Sequence, residues 1–121
     1  MSVHALIVDD SQSMRSIVKM TLTDAGYEVT EAVDGNEALN LAKRHTYDVV
    51  ITDVNMPGKD GLTLIKELRE TSNYRHTPIL TLTTQIGEER KNQGRQAGAT
   101  GWITKPFSPR KLIEVLAKLI G

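Results

Sequence analysis

At 121 residues the chain has the length of one ordinary domain, enough to bury a core of its own. Its 15 Lys and Arg balance 15 Asp and Glu, so it lacks the basic excess with which proteins hold nucleic acid through phosphate charge. The absence of cysteine excludes disulfides and thiolate metal sites, and the longest apolar runs are strand-sized, far short of the roughly 20 residues that span a bilayer. The opening "MSVHALIVDD" lacks the charged and apolar regions of a signal peptide, so a single cytoplasmic domain over residues 1–121, free of membrane and nucleic acid, is the expectation.

The first apolar run, Val3 to Val8, predicts a strand that runs straight into two adjacent acids, Asp9 and Asp10. Met14, Ile17, Val18, Thr21, Leu22 and Ala25 then recur with the i, i+3, i+4, i+7 period of a helix, which Gly26 stops. A second strand, Glu28 to Ala32, leads to Asp34 and Glu37, spaced as a capping box ahead of Ala38, Leu39 and Ala42. The third strand, Asp48 to Thr52, ends at Asp53, and Leu64, Ile65 and Leu68 mark the helix after it. The fourth, Pro78 to Thr83, precedes "IGEERKNQGRQAGA", in which only Ile86 and Ala97 are clear apolar anchors and Gly87 and Gly94 interrupt the pattern. An interior glycine costs about 1 kcal/mol relative to alanine, so this helix is expected to be marginal and exposed, suited to a surface that changes with state. The fifth strand, Gly101 to Thr104, is followed by Ser108 as N-cap, Pro109 in the first turn, and a stripe of Leu112, Val115, Leu116, Leu119 and Ile120.

Five strands alternating with five helices imply right-handed βαβ crossovers and a doubly wound, mostly parallel α/β sheet covered on both faces. The continuous apolar runs "ALIV" and "VVIT" agree, because central parallel strands are buried on both sides. In such sheets ligands bind beyond the carboxyl ends of the strands. Those ends carry Asp9 and Asp10, Asp53, Thr83 and Thr84, and Lys105. Singly, each has a plain structural reading. Asp10 or Ser11 caps the first helix, Asp53 makes an Asx turn, Thr83 is an ordinary strand residue, Lys105 a solvated loop lysine, and Trp102 a packing residue. Their convergence at one edge favours a site. Three carboxylates without His or Cys form a hard, all-oxygen set, suited to Mg²⁺ or Mn²⁺ and poor for zinc. A cation there would make the costly Asp9-Asp10 pair tolerable, and a lysine and a hydroxyl opposite it describe a pocket for a phosphoryl group on a carboxylate.

The segments "VDDSQSMR", "DVVITDVNMPGKDG", "PILTLTT" and "GATGWITKPF" resemble, in content and spacing, the receiver domain of two-component response regulators, most closely the stand-alone chemotaxis regulators of the CheY type. The resemblance covers the whole chain. It implies a flavodoxin-like (βα)5 fold with strand order 2-1-3-4-5. It also implies that Asp53 is the phosphoacceptor for a phosphohistidine on a CheA-type kinase. Mg²⁺ would be held by Asp10, Asp53 and the Asn55 carbonyl, with Asp9 acting largely through water. Lys105 would pair with Asp53 and then with the phosphoryl oxygens, Thr83 would swing toward the phosphoryl group, and Trp102 would stand at the position of the switch aromatic. The family's Lys-Pro bond is cis, and the same is expected of Lys105-Pro106. Output would pass through the face formed by the fourth helix, fifth strand and fifth helix to a flagellar switch component or other motility protein, with a phosphatase as a further partner and a monomer as the family default. The domain would thus be a phosphoacceptor switch that promotes its own phosphorylation and dephosphorylation, not an enzyme with an external substrate.

Two positions depart from the best-known chemotaxis pattern. Trp102 replaces Tyr or Phe, and Gln85 stands where Glu is common, so Asn55 and Gln85 are expected to tune phosphoryl lifetime. Other classes fit less well. A haloacid-dehalogenase-like phosphatase would place a second acid two residues after its nucleophile, whereas Asp53 is followed by Val54 and Asn55. A flavin or nucleotide binder would offer a Ser/Thr/Gly-rich loop after the first strand, whereas "DDSQS" carries acids that repel phosphate. A phosphorelay shuttle or phosphate sink uses the same residues as the motility switch, and the sequence does not separate them. His4, His45 and His76 have no metal-ligand spacing and read as surface or structural residues.

Overall fold

The computed structural model describes residues 3–56, 58–84 and 88–120. Five strands alternate with five helices: β1 (His4–Val8), α1 (Gln12–Asp24), β2 (Glu28–Ala32), α2 (Gly35–Arg44), β3 (Val49–Thr52), α3 (Gly61–Glu70), β4 (Ile79–Thr83), α4 (Glu88–Ala97), β5 (Gly101–Thr104) and α5 (Pro109–Ile120). All strand pairs are parallel and the sheet order is β2-β1-β3-β4-β5, the flavodoxin-like arrangement. The chain first steps outward from β1 to β2, then crosses back over β1 to β3. The crevice beyond β1 and β3 is therefore the switch point, where α/β sheets hold ligands.

Both faces of the sheet are buried by alternating side chains. Leu6, Val8, Val50 and Ile79 pack into one cluster with Ala38, Leu64, Leu68 and Ala97 from α2, α3 and α4. Ala5, Ile7, Ile51 and Leu80 pack into the other with Val18, Leu22, Leu112 and Leu116 from α1 and α5. This is why β1 and β3 read as unbroken apolar runs.

The helix ends follow local chemistry. Ser11 caps α1, its Oγ accepting the Met14 N–H at 3.3 Å, so the capping role falls to Ser11 and leaves Asp10 free of it. Gly26, at φ 94°, turns the chain out of α1 in a conformation that favours glycine. Asp34 caps α2 by accepting the Glu37 N–H at 2.8 Å, while Glu37 reaches back to the Val33 N–H, one residue before the capping-box partner. Ser108 caps α5 ahead of Pro109, its Oγ accepting the Lys111 N–H at 3.4 Å.

One feature differs from the sequence expectations and two more were not foreseen. Ile17, counted on the apolar stripe of α1, is 43% exposed, because the face of α1 toward the sheet is narrow and Val18 and Leu22 fill it. A short 3-10 helix, Ser72–Tyr74, interrupts the α3–β4 connection. Its Tyr74 is fully buried, and its hydroxyl meets the Ala42 and His45 carbonyls at 2.9 and 2.6 Å while accepting the Tyr47 N–H at 3.3 Å. Arg69 is the third. Its guanidinium donates to the carbonyls of Gly98, Tyr74 and Thr77 at 2.6 to 3.0 Å, tying the end of α3 to the turn between α4 and β5.

Replacing Tyr74 by phenylalanine keeps the ring and removes the hydroxyl from three buried or half-buried backbone groups. Urea unfolding should show a loss of about 1–3 kcal/mol, the cost of leaving such groups unpaired. An unchanged midpoint would mean that water satisfies them.

Candidate functional site

Backbone bonding carries the sheet ladder one step past the strands, and this positions the site. The Asp9 N–H donates to the Ala32 carbonyl at 3.2 Å, the Asp53 N–H to Val8 at 2.9 Å, and the Lys105 N–H to Thr83 at 2.7 Å. Residues remote in sequence thus emerge side by side at one edge.

Asp9, Asp10 and Asp53 each present a carboxylate oxygen within 4.8 Å of the others. Asp9 and Asp53 are buried, at 3% and 8% exposure, and Asp10 is open to solvent. Lys105 reaches over them, its Nζ 2.8 Å from Asp9 Oδ2 and 3.6 Å from Asp53 Oδ2. Both oxygens of Asp9 are engaged, since Oδ1 accepts the Ser11 N–H at 2.9 Å. Asp53 Oδ1 accepts the Val54 N–H at 2.8 Å. Burial pushes the Asp53 carboxyl above its ordinary value. The Lys105 ammonium pulls it down, the Asp9 charge pushes it up, and the Val54 and Asn55 N–H groups pull it down.

Asn55 follows two residues after Asp53 and is exposed. Thr83 ends β4 next to the site and is fully buried. Trp102 lies farther off, on β5 opposite Thr81 and packed against α4. The Lys105–Pro106 peptide bond is cis. Gln85 lies outside the described residues.

Two supporting residues escaped the sequence reading. Arg15 donates from Nη1 to the Asp9 carbonyl at 2.7 Å, and its Nε stands 3.4 Å from Glu31 Oε1, bracing the acidic loop against β2. Gly61 opens α3 directly under the end of β3. A Cβ there would fall 2.1 Å from the Asp53 carbonyl oxygen, so only glycine lets that peptide stay in place. The signal for Gly61 was available in its position immediately after the N-cap Asp60. Arg15 offered none, because its hydrogen bond to the acidic loop goes to a main-chain atom.

A family model for the response regulator receiver domain matches residues 5–117. The chain belongs to the response regulator receiver domain family. It is 44% identical over 115 residues to the chemotaxis protein CheY-3 of Vibrio cholerae, covering 94% of this chain and 88% of that one. Among solved structures it resembles the chemotaxis response regulator CheY4 of Vibrio cholerae, with a TM-score of 0.94 and 48% identity over 98% of this chain and 99% of the other. The receiver domain of a sensor histidine kinase from Pseudomonas aeruginosa, solved with a magnesium ion in its active-site cleft, aligns with a TM-score of 0.93 at 30% identity, over 100% of this chain and 99% of that one. The chain is therefore a CheY-like receiver. No described helix is long and apolar enough to cross a membrane.

The donor set of this chain suits a hard cation. Counted as formal charges, three carboxylates and one ammonium leave two negative charges uncompensated, the charge that a divalent ion brings. Asp10→Asn should therefore raise the melting temperature of the metal-free protein by relieving repulsion. Mg²⁺ should raise that of the wild type, by about 2.7 kcal/mol of stability at roughly a hundredfold excess over Kd, and that of the variant much less. An equal response of both proteins to Mg²⁺ would show that Asp10 does not hold the ion.

Proposed function

We propose that this receiver accepts a phosphoryl group on Asp53 from a phosphohistidine of a CheA-type kinase, and signals through the face formed by α4, β5 and α5 in chemotaxis or motility. The observation that carries the reading is the meeting of Asp9, Asp10 and Asp53 within 4.8 Å beneath the Lys105 ammonium. The high identity to chemotaxis regulators along nearly the whole chain supports the motility assignment.

In this reading Asp53 Oδ2 attacks phosphorus, the phosphorus–nitrogen bond to the donor imidazole breaks, and the leaving nitrogen keeps the electron pair. The Val54 N–H, bonded to Oδ1, fixes the carboxylate and leaves Oδ2 to react. Burial of Asp53 strips the nucleophile of water and raises its pKa, while Lys105, 3.6 Å away, opposes that rise and then meets the negative charge of the transferred group. Asp10, Asp53 and the Asn55 carbonyl would hold Mg²⁺, with Asp9 acting through water. When bound, the ion offsets charge on the phosphoryl oxygens. Asp9 is well placed for an indirect role, since the Ser11 N–H and Lys105 occupy both its oxygens. Thr83 would turn to the phosphoryl group and Trp102 would follow, while Asn55 and Gln85 would set the lifetime of the acyl phosphate.

Intact mass after treatment with acetyl phosphate tests the acceptor. Wild type should gain one phosphoryl group with Mg²⁺ and none without it, and Asp53→Ala should gain none. No gain under conditions that label another receiver would remove the switch reading. The lifetime assignment is checked separately: Gln85→Ala should change the dephosphorylation rate, and an unchanged rate would discard that role.

A further inference from the structure

Helix α4 has a glycine at its centre that no turn requires. Gly94 is buried within Glu88–Ala97, and it is not among the glycines with positive φ. What it supplies is room. A Cβ at position 94 would stand 2.8 Å from Cζ3 and 3.1 Å from Cε3 of Trp102, inside ordinary contact distance. The benzene edge of the indole thus lies directly on the bare backbone of α4.

The other edge of the ring carries a second clue. Trp102 Nε1 is buried and has no hydrogen-bond partner among the described residues, although a buried indole N–H ordinarily finds an acceptor. Among the described residues shape, not a hydrogen bond, holds the ring where it is. A cavity of about 240 Å³, lined in part by Lys91, Arg95, Ala99 and Thr100, opens beside it, so a displaced ring has space to enter.

We propose that Gly94 is a positioning residue for Trp102: the glycine forms a seat on α4 for the larger aromatic, and the two residues act as a pair that sets the conformation of the α4–β5 face. This deepens the switch reading of Trp102 given above and rests on it. It also accounts for a glycine where helix propensity alone would favour alanine. With a smaller side chain at 102 the seat has no purpose, and alanine at 94 becomes the better helix residue.

The test is a cycle of four proteins: wild type, Gly94→Ala, Trp102→Leu and the double variant. Leucine has no atoms that reach as far as Cε3 and Cζ3, so the contact is removed cleanly. Gly94→Ala should lower the melting temperature by about 3 °C or more beside Trp102 and raise it beside Leu. A shift of the same sign in both backgrounds would overturn the pair. Should Gly94→Ala fail to fold, rescue by Trp102→Leu supports the proposal, and failure of both Ala-bearing proteins overturns it.

Trp102 is the single tryptophan, so its fluorescence reports the seat alone. Gly94→Ala should red-shift the emission and steepen quenching by iodide; unchanged emission and quenching would count against a seated ring. With acetyl phosphate and Mg²⁺, Gly94→Ala should gain mass as wild type does, yet lose most of the emission change that wild type shows. Retention of the full change would overturn the positioning role. If wild type itself gains no mass, the functional reading fails while the melting and quenching results still decide the pair.

Discussion

The Lys105 ammonium, 2.8 Å from Asp9 and 3.6 Å from Asp53, is the charge on which the rest of the arrangement depends. Two buried carboxylates beside a third repel one another, and their removal from water adds to the cost. One ammonium offsets part of that cost and leaves part of it. The remainder keeps the site short of positive charge and suited to a divalent ion. A second lysine would relax the cluster and remove the reason to bind one. The same ion pair joins the end of β5 to the end of β1, so the chemistry and the closing of the sheet edge share one contact.

Parallel topology is what makes such a contact possible. Because every strand points the same way, every strand end falls at the same edge, and residues nearly a hundred positions apart meet there. Strand apolarity serves burial on both faces, and the polar residues begin where the sheet stops. Gly61 shows how closely the two tasks are joined. The helix that covers β3 starts so near Asp53 that any side chain at its first residue would displace the Asp53 carbonyl.

This division explains what the sequence disclosed and what it withheld. The central strands β1 and β3 were legible to within a residue because buried parallel strands are almost purely apolar and end abruptly, as "VVIT" does at Asp53. The acidic cluster was legible because acids directly after such runs have one shared destination. The preference of Lys105 for Asp9 over Asp53 was not, since it turns on fractions of an ångström among three carboxylates. Nor were Arg15, Arg69 and Tyr74, each of which donates to main-chain carbonyls that no residue type announces. Ile17 misled because periodicity identifies a face without giving its width. The weakness of α4 was visible in composition, but the reason for Gly94 was not, because it depends on a ring from the next strand.

Helix α4 differs from its neighbours in how it is held. Among its described side chains only Gly94 and Ala97 are buried, so little apolar area fixes it to the sheet. Its C-terminal turn is secured: the Gly98 carbonyl accepts two bonds from the Arg69 guanidinium, which is also bonded to the α3–β4 connection. Among the described residues Arg69 has no acidic partner, so the tie rests on directional bonds to carbonyls. The central turn is held by a ring resting on a glycine, a contact of shape with little depth. A helix fastened firmly at one end and lightly at its middle can change position relative to the sheet while the core stays packed, since the tightly interdigitated clusters on β1 and β3 contribute few atoms to it. The soft element of this fold therefore lies where a change at the strand ends can act on it without disturbing the residues that hold the strands.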